Sequence, residues 1–125
     1  MLKIKLRVND ETKTFSQDFI SGYMFRKAID LDEKRNKYLQ KFLDQENGGK
    51  VTAEEQQALL DELYHFISEV FGGQFSAEEY EHGTDARQIV DQSWSIVHGI
   101  ISQTMEPFEG LDDDTEKKKS NRRKS

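Results

Sequence analysis

Two stretches of this chain carry the residue types of a metal site. Glu62-Leu63-Tyr64-His65 and Glu79-Tyr80-Glu81-His82 each set a carboxylate and an imidazole three positions apart. On a helix that spacing puts both on one face, and paired Glu-x-x-His helices are the ligand pattern of di-iron carboxylate bundles. Such a centre also needs bridging carboxylates from two more long helices. The second motif falls on a segment of about two turns, too short for a bundle helix. The region is also so rich in Glu that the spacing arises by composition. His98 stands in an apolar stretch beside Gly99, which suits a surface or hydrogen-bonded histidine better than a general base. No meaningful Ser/His/Asp spacing, phosphate-binding glycine loop or dinucleotide fingerprint is present. These residues predict no enzyme, no catalytic residue, no metal and no cofactor.

The 125 residues suffice for one domain with a modest core. Only 34% are hydrophobic and the mean hydropathy is -0.86, so a small core carries a large polar surface. There is no cysteine, which rules out disulfides and thiolate metal sites. No apolar run follows a basic start, so no signal peptide is expected. No run is long enough to cross a bilayer. We therefore expect a soluble intracellular protein that does not bind membranes.

The net charge of -6 is unevenly spread. Residues 1–51 carry 11 Lys and Arg against 8 Asp and Glu, whereas residues 52–105 carry Arg87 alone against 10 acids. An acidic second half repels nucleic acid and suits a basic or amphipathic protein partner. The short helix expected before Gly83 and the longer one after it have the outline of a helix-turn-helix. A recognition helix needs bases near its start, and this one offers Asp85 and Asp91 against Arg87. No nucleic-acid partner is expected.

The elements follow from periodicity. Leu2, Ile4, Leu6 and Val8 alternate with Lys3, Lys5 and Arg7, which predicts a half-buried strand with a basic outer face. Asn9-Asp10-Glu11 supplies a turn, and Thr12 to Phe15 return as a second strand. Ser21 caps a helix with Met24, Phe25, Ala28, Ile29 and Leu31 as its apolar stripe. Tyr38, Leu39, Phe42 and Leu43 repeat the spacing, as one long helix or two, up to Asn47-Gly48-Gly49. Thr52 and Glu55 form a capping box for a helix to Phe71, with Leu59, Leu60, Leu63, Phe66, Ile67, Val70 and Phe71 on its apolar face. Gly72-Gly73 stops it.

Ser76 and Glu79 form a second capping box, and Gly83 ends that short helix. Thr84 or Asp85 caps the last helix, whose buried side is read as Ile89, Val90, Trp94, Val97, Ile100 and Ile101. Pro107 stands just past its end. The aromatics fall at helical spacing and belong to the core, with Phe75 plugging the gap between the two long helices. The fold class is α+β, mainly α-helical: an N-terminal β-hairpin packed on about four helices, in one domain over residues 1–105. Residues 106–125, with Asp112 to Glu116 followed by Lys117 to Lys124, form a charged tail that buries too little to order itself.

Several segments resemble one family. They are the aliphatic N-terminal strand, Ile20-Ser21-Gly22-Tyr23-Met24-Phe25-Arg26-Lys27-Ala28, Val70-Phe71-Gly72-Gly73-Gln74-Phe75, and His82-Gly83-Thr84-Asp85-Ala86-Arg87. In this order they resemble the short, non-frameshifted form of the tail assembly chaperones of long-tailed, siphovirus-type phages and prophages of Gram-positive bacteria. The resemblance covers residues 1 to about 105, with residues 33–57 as an insertion. It implies a protein of the host bacterial cytoplasm that keeps the tape-measure protein soluble. It also implies help for tail-tube subunits polymerising around that protein, and absence from the finished virion. Self-association through the strand edge or a helix face would spread the holding surface along a long client. A longer form made by ribosomal frameshift is a family habit, and Lys117-Lys118-Lys119 fits an A-rich slippery run. The resemblance transfers no site residue. The alternatives are a small phage regulatory or anti-host protein that binds one host factor, and a structural tail or connector subunit.

Overall fold

The computed structural model describes residues 2–44 and 50–102. Its order is β1 (Leu2–Val8), β2 (Glu11–Gln17), α1 (Gly22–Leu43), α2 (Ala53–Val70), α3 (Ala77–Gly83) and α4 (Ile89–Ser102). The α+β, mainly helical class read from the sequence is the observed one. The Asn47-Gly48-Gly49 turn, Pro107 and the charged tail lie outside the described residues.

β1 and β2 pair antiparallel, from Leu2 opposite Gln17 to Val8 opposite Glu11. The turn is Asn9-Asp10, with φ of 52° and 65°. Positive φ at both central residues is what a type I′ hairpin turn demands, and Asn and Asp tolerate it. Glu11 belongs to the strand and not to the turn. Ile4 and Leu6 are buried, while Lys3, Lys5 and Arg7 stay outside. A two-residue turn makes Val8 and Glu11 a hydrogen-bonded pair. The backbone of Lys3, Lys5 and Arg7 therefore faces one outer edge, and that of Thr12, Thr14 and Ser16 the other.

α3 covers the first of those edges. A Cβ placed on Gly83 would lie 2.7 Å from the Arg7 carbonyl oxygen and 3.2 Å from its nitrogen. The sequence marks Gly83 as a helix stop; it is in fact the last residue of α3, with Thr84 as C-cap. What the position needs from glycine is room for β1 to approach. Gly72 and Gly73 do act as a stop, at φ of 67° and 76°. The Gly73 amide donates to the Ser68 carbonyl (3.0 Å) and the Gly72 amide to the Glu69 carbonyl (2.9 Å). That pair of bonds is a Schellman motif, which satisfies the last carbonyls of α2.

The tight reversal behind it is pinned from three sides. The buried Ser68 hydroxyl donates to the Phe75 carbonyl at 2.6 Å. The Gln17 amide reaches the Val70 carbonyl at 3.1 Å, and the Gln74 amide the Ser16 carbonyl at 2.9 Å. Phe75 then inserts among Phe15, Phe71 and Tyr80, with ring centroids 5.0, 5.3 and 5.9 Å away. It closes the junction of hairpin, α2 and α3; the expected plug between two long helices becomes a hub at their hairpin end. Tyr80 is fully buried, its hydroxyl 2.7 Å from the Ser93 hydroxyl and accepting from the Gln92 amide at 3.1 Å. Burial raises the Tyr80 hydroxyl above its ordinary pKa, against those two hydrogen bonds, which act to lower it.

α1 is a single continuous helix, capped by Ser21, whose hydroxyl accepts from the Met24 amide at 3.3 Å. It runs antiparallel to α2, and three ion pairs mark the register: Lys27–Glu69 at 3.0 Å, Lys34–Glu62 at 2.6 Å and Lys41–Glu55 at 3.0 Å. Both partners advance by seven residues at each step, the repeat at which two helices keep one seam in contact. Exposed pairs of this kind add little stability each. Their value lies in fixing which turn of α1 meets which turn of α2. The expected stripes are corrected at Ile29 on α1 and Val90 on α4, and again at Leu39, Phe42 and Leu43 in the second half of α1, all of which are exposed.

Of the two residues expected to cap the last helix, Asp85 makes the capping bonds, one turn ahead of the start of α4 at Ile89. Thr84 serves the end of α3, its hydroxyl donating to the Tyr80 carbonyl at 2.7 Å. Asp85 opens a turn before the helix, its carbonyl accepting from Gln88 and Ile89. Its carboxylate accepts from the Arg87 amide (2.8 Å) and from Arg87 Nε and Nη2 (3.0 and 2.8 Å). Those bonds hold the Asp85 carboxyl down at about 2.

Candidate functional site

The Glu-x-x-His pairs do not converge. The Glu62 carboxylate is engaged by Lys34. That of Glu79 accepts from the Ser76 amide at 2.8 Å, completing the capping box. His65 and His82 are both exposed. Among the described residues no three His, Asp or Glu side chains gather as a metal site would require. His98 lies on the surface of α4, with Nε2 2.9 Å from Asp32 on α1. Its role there is to clasp two helices.

The surface is more informative than any polar cluster. The first half of α1 is covered: Met24, Ala28 and Leu31 are buried against the core. α4 follows it as far as Arg35, whose guanidinium lies 5.2 Å from the centroid of the Trp94 ring. Past that point large apolar side chains of α1 are exposed. Leu39, Phe42 and Leu43 are 46%, 61% and 82% exposed. Leu59 and Leu60 on α2, which continue the stripe of buried Leu63 and Ile67, are only half-buried.

A cleft of about 360 Å³ opens there. Its α1 wall is Arg35, Tyr38, Leu39 and Phe42; its other wall is Val51, Gln56, Leu59 and Leu60; Trp94 closes the inner end. Among the described residues that line it, Arg35 is the one charged side chain. The open end is held in shape by the last rung of the ladder. The Glu55 carboxylate accepts from the Thr52 amide and from Lys41 Nζ, and the Thr52 bond, ahead of Lys41, keeps its carboxyl below the usual range. One residue thus caps α2 and ties it to α1 beside the cleft.

Two other exposed features compete with this cleft. Phe19 and Tyr23 stand out at the N-terminal end of α1, with Lys27 Nζ 5.4 Å from the Tyr23 ring. The outer edge of β2 at Thr12 and Thr14 carries no hydrogen bond among the described residues. The sequence named every residue of the cleft's α1 wall except Arg35 as one repeating stripe. It held no signal that α4 would leave that part of the stripe uncovered.

The fold and surface therefore define a small acidic binding protein with an apolar groove at one end. The profile of a family described as phage tail chaperone protein matches residues 1–124, and the chain belongs to that family. Neither a curated protein nor a solved structure matches it. Its role is that of a tail assembly chaperone. Among the described residues no helix is long and apolar enough to cross a membrane.

Proposed function

We propose that this chain holds the tape-measure protein soluble during tail assembly and promotes polymerisation of tail-tube subunits around it. The observation that carries this reading is the uncovered apolar stripe of α1, Leu39, Phe42 and Leu43, beside the cleft floored by Leu59 and Leu60. Large apolar side chains grouped on a concave surface mark a protein-binding site. A tape-measure chain exposes apolar helix faces before the tube encloses it. The net charge of residues 52–105, one base against 10 acids, keeps a complex with such a client in solution.

The same reading places the protein in the host cytoplasm, in a siphovirus-type phage or prophage of a Gram-positive host, and outside the mature virion. It makes this the short form of a pair, with the frameshift near Lys117-Lys118-Lys119. The binding unit is residues 1–105, and the charged segment 106–125 lies beyond it.

Co-expression with the tape-measure protein of the same genome tests the proposal. The client should move from the insoluble to the soluble fraction and co-purify with this chain. A client equally soluble with and without it, and no co-purification, would refute the reading.

A further inference from the structure

The cleft has a shape and a charge that select among clients. We infer that it seats one amphipathic helix of the client, with that helix's apolar stripe on Leu59, Leu60 and Trp94 and a carboxylate turned to Arg35. The inference rests on the holding function proposed above and adds the place and the chemistry of contact.

Three observations carry it. The cleft lies along two antiparallel helices whose seven-residue ladder, Lys27–Glu69, Lys34–Glu62 and Lys41–Glu55, keeps their side-chain rows in step. Rows in such register form the holes that accept the knobs of a further helix. The walls are side chains and offer no free strand edge, so an extended peptide would find no backbone partners there.

The charge is the third observation. Along this seam Lys27, Lys34 and Lys41 are each paired to a glutamate of α2. Arg35 is half-buried over Trp94 and has no carboxylate within ion-pair distance among the described residues. A guanidinium held on an aromatic face still presents donors for a planar, bidentate carboxylate. A client acid would pair with it in a partly dry site, and a client lysine would be repelled. The same charge disfavours a second copy of this groove as occupant, because a two-fold contact would set Arg35 against Arg35.

The test measures affinity of the full chain for purified helical fragments of the tape-measure protein. Leu39→Glu and Phe42→Glu alter exposed side chains, so both variants should keep the wild-type melting temperature. Each should weaken binding of one fragment by at least about 30-fold, the loss typical of a central apolar anchor. Arg35→Glu should weaken it by about 10-fold and recover when the facing client acid is changed to Lys. Ile29→Glu, on the exposed side of α1 away from the cleft, should bind as wild type. If wild type binds and Phe42→Glu binds equally, the seat is elsewhere and this inference falls while the holding function stands. If wild type binds no fragment and fails to co-purify with the whole client, the holding function itself fails. Dissociation of a homo-oligomer by Phe42→Glu with client affinity intact would make a second copy the occupant. Displacement of the fragment by a peptide of residues 103–125 would make that segment the occupant. Either result overturns the inference.

Discussion

The two halves of α1 obey the same helical periodicity and meet opposite fates. Met24, Ala28 and Leu31 are buried where α1 packs on α2 and α4; Leu39, Phe42 and Leu43 are exposed. The hairpin half of the protein is closed by a ring cluster around Phe75 and by buried hydrogen bonds of Ser68, Tyr80 and Ser93. The distal half is held by Lys41–Glu55 and a capping box, both at the surface. Stability and binding are thereby assigned to different ends of one helix pair. Change at the hairpin end should unfold the protein, and change at the distal end should leave it folded with weaker binding.

The sharpest test of that division is Phe75→Ala. Phe75 is buried among three other aromatic rings, so truncation should cost about 3–5 kcal/mol in urea unfolding. A loss below about 1 kcal/mol would mean the ring cluster is not where stability sits.

Gly83→Ala should come next. The added methyl meets the Arg7 carbonyl at 2.7 Å, a backbone atom that cannot rotate away. Overpacking of this kind costs about 1–3 kcal/mol. An unchanged melting temperature would show that α3 does not bear on β1 as described.

Tyr80→Phe removes the hydroxyl that joins Ser93 and Gln92 and leaves the buried Ser93 without that partner. The loss should be about 1–3 kcal/mol at neutral pH. A pH series adds a sign. The folded pKa of Tyr80 is raised above 10.0, so its contribution is complete below pH 10 and falls as the pH rises through the folded value. Tyr64, raised first by burial and then by Glu81, adds in the same direction. Wild type should lose stability in alkali more steeply than Tyr80→Phe; identical slopes would contradict the buried network.

At the other end, Leu39→Ala and Phe42→Ala should each change stability by no more than about 0.5 kcal/mol, as exposed positions do. A loss of several kcal/mol would erase the contrast between the two halves.

Much of this was legible in the residues. Strand alternation, the Thr52 and Ser76 capping boxes and the Gly72-Gly73 stop are local devices, complete within a few positions, and each is observed where its pattern lies. Gly83 was legible as important and misread as to why, because the atom it makes room for is on β1, 76 positions earlier. Ile29 and Val90 sit beside genuine stripe residues, and only the placement of neighbouring helices decides which edge of a stripe is covered. Ser68 and Ser93 gave no signal, since a small polar residue declares itself as buried only through its partner. The same limit hid the cleft. Lys27, Lys34 and Lys41 repeat visibly along the chain, but their antiparallel partners Glu69, Glu62 and Glu55, and the exposure of Leu39, are tertiary facts.

Hydrogen exchange of the free protein and of its complex with the tape-measure client tests the division most directly. In the free protein, amides from Arg35 to Leu43 should exchange faster than those from Met24 to Leu31. Adding client should slow exchange in that distal stretch of α1 and in α2 around Leu59 and Leu60, and leave the hairpin unchanged. Protection confined to the β2 edge at Thr12 to Ser16, or to Phe19 and Tyr23, would contradict the account.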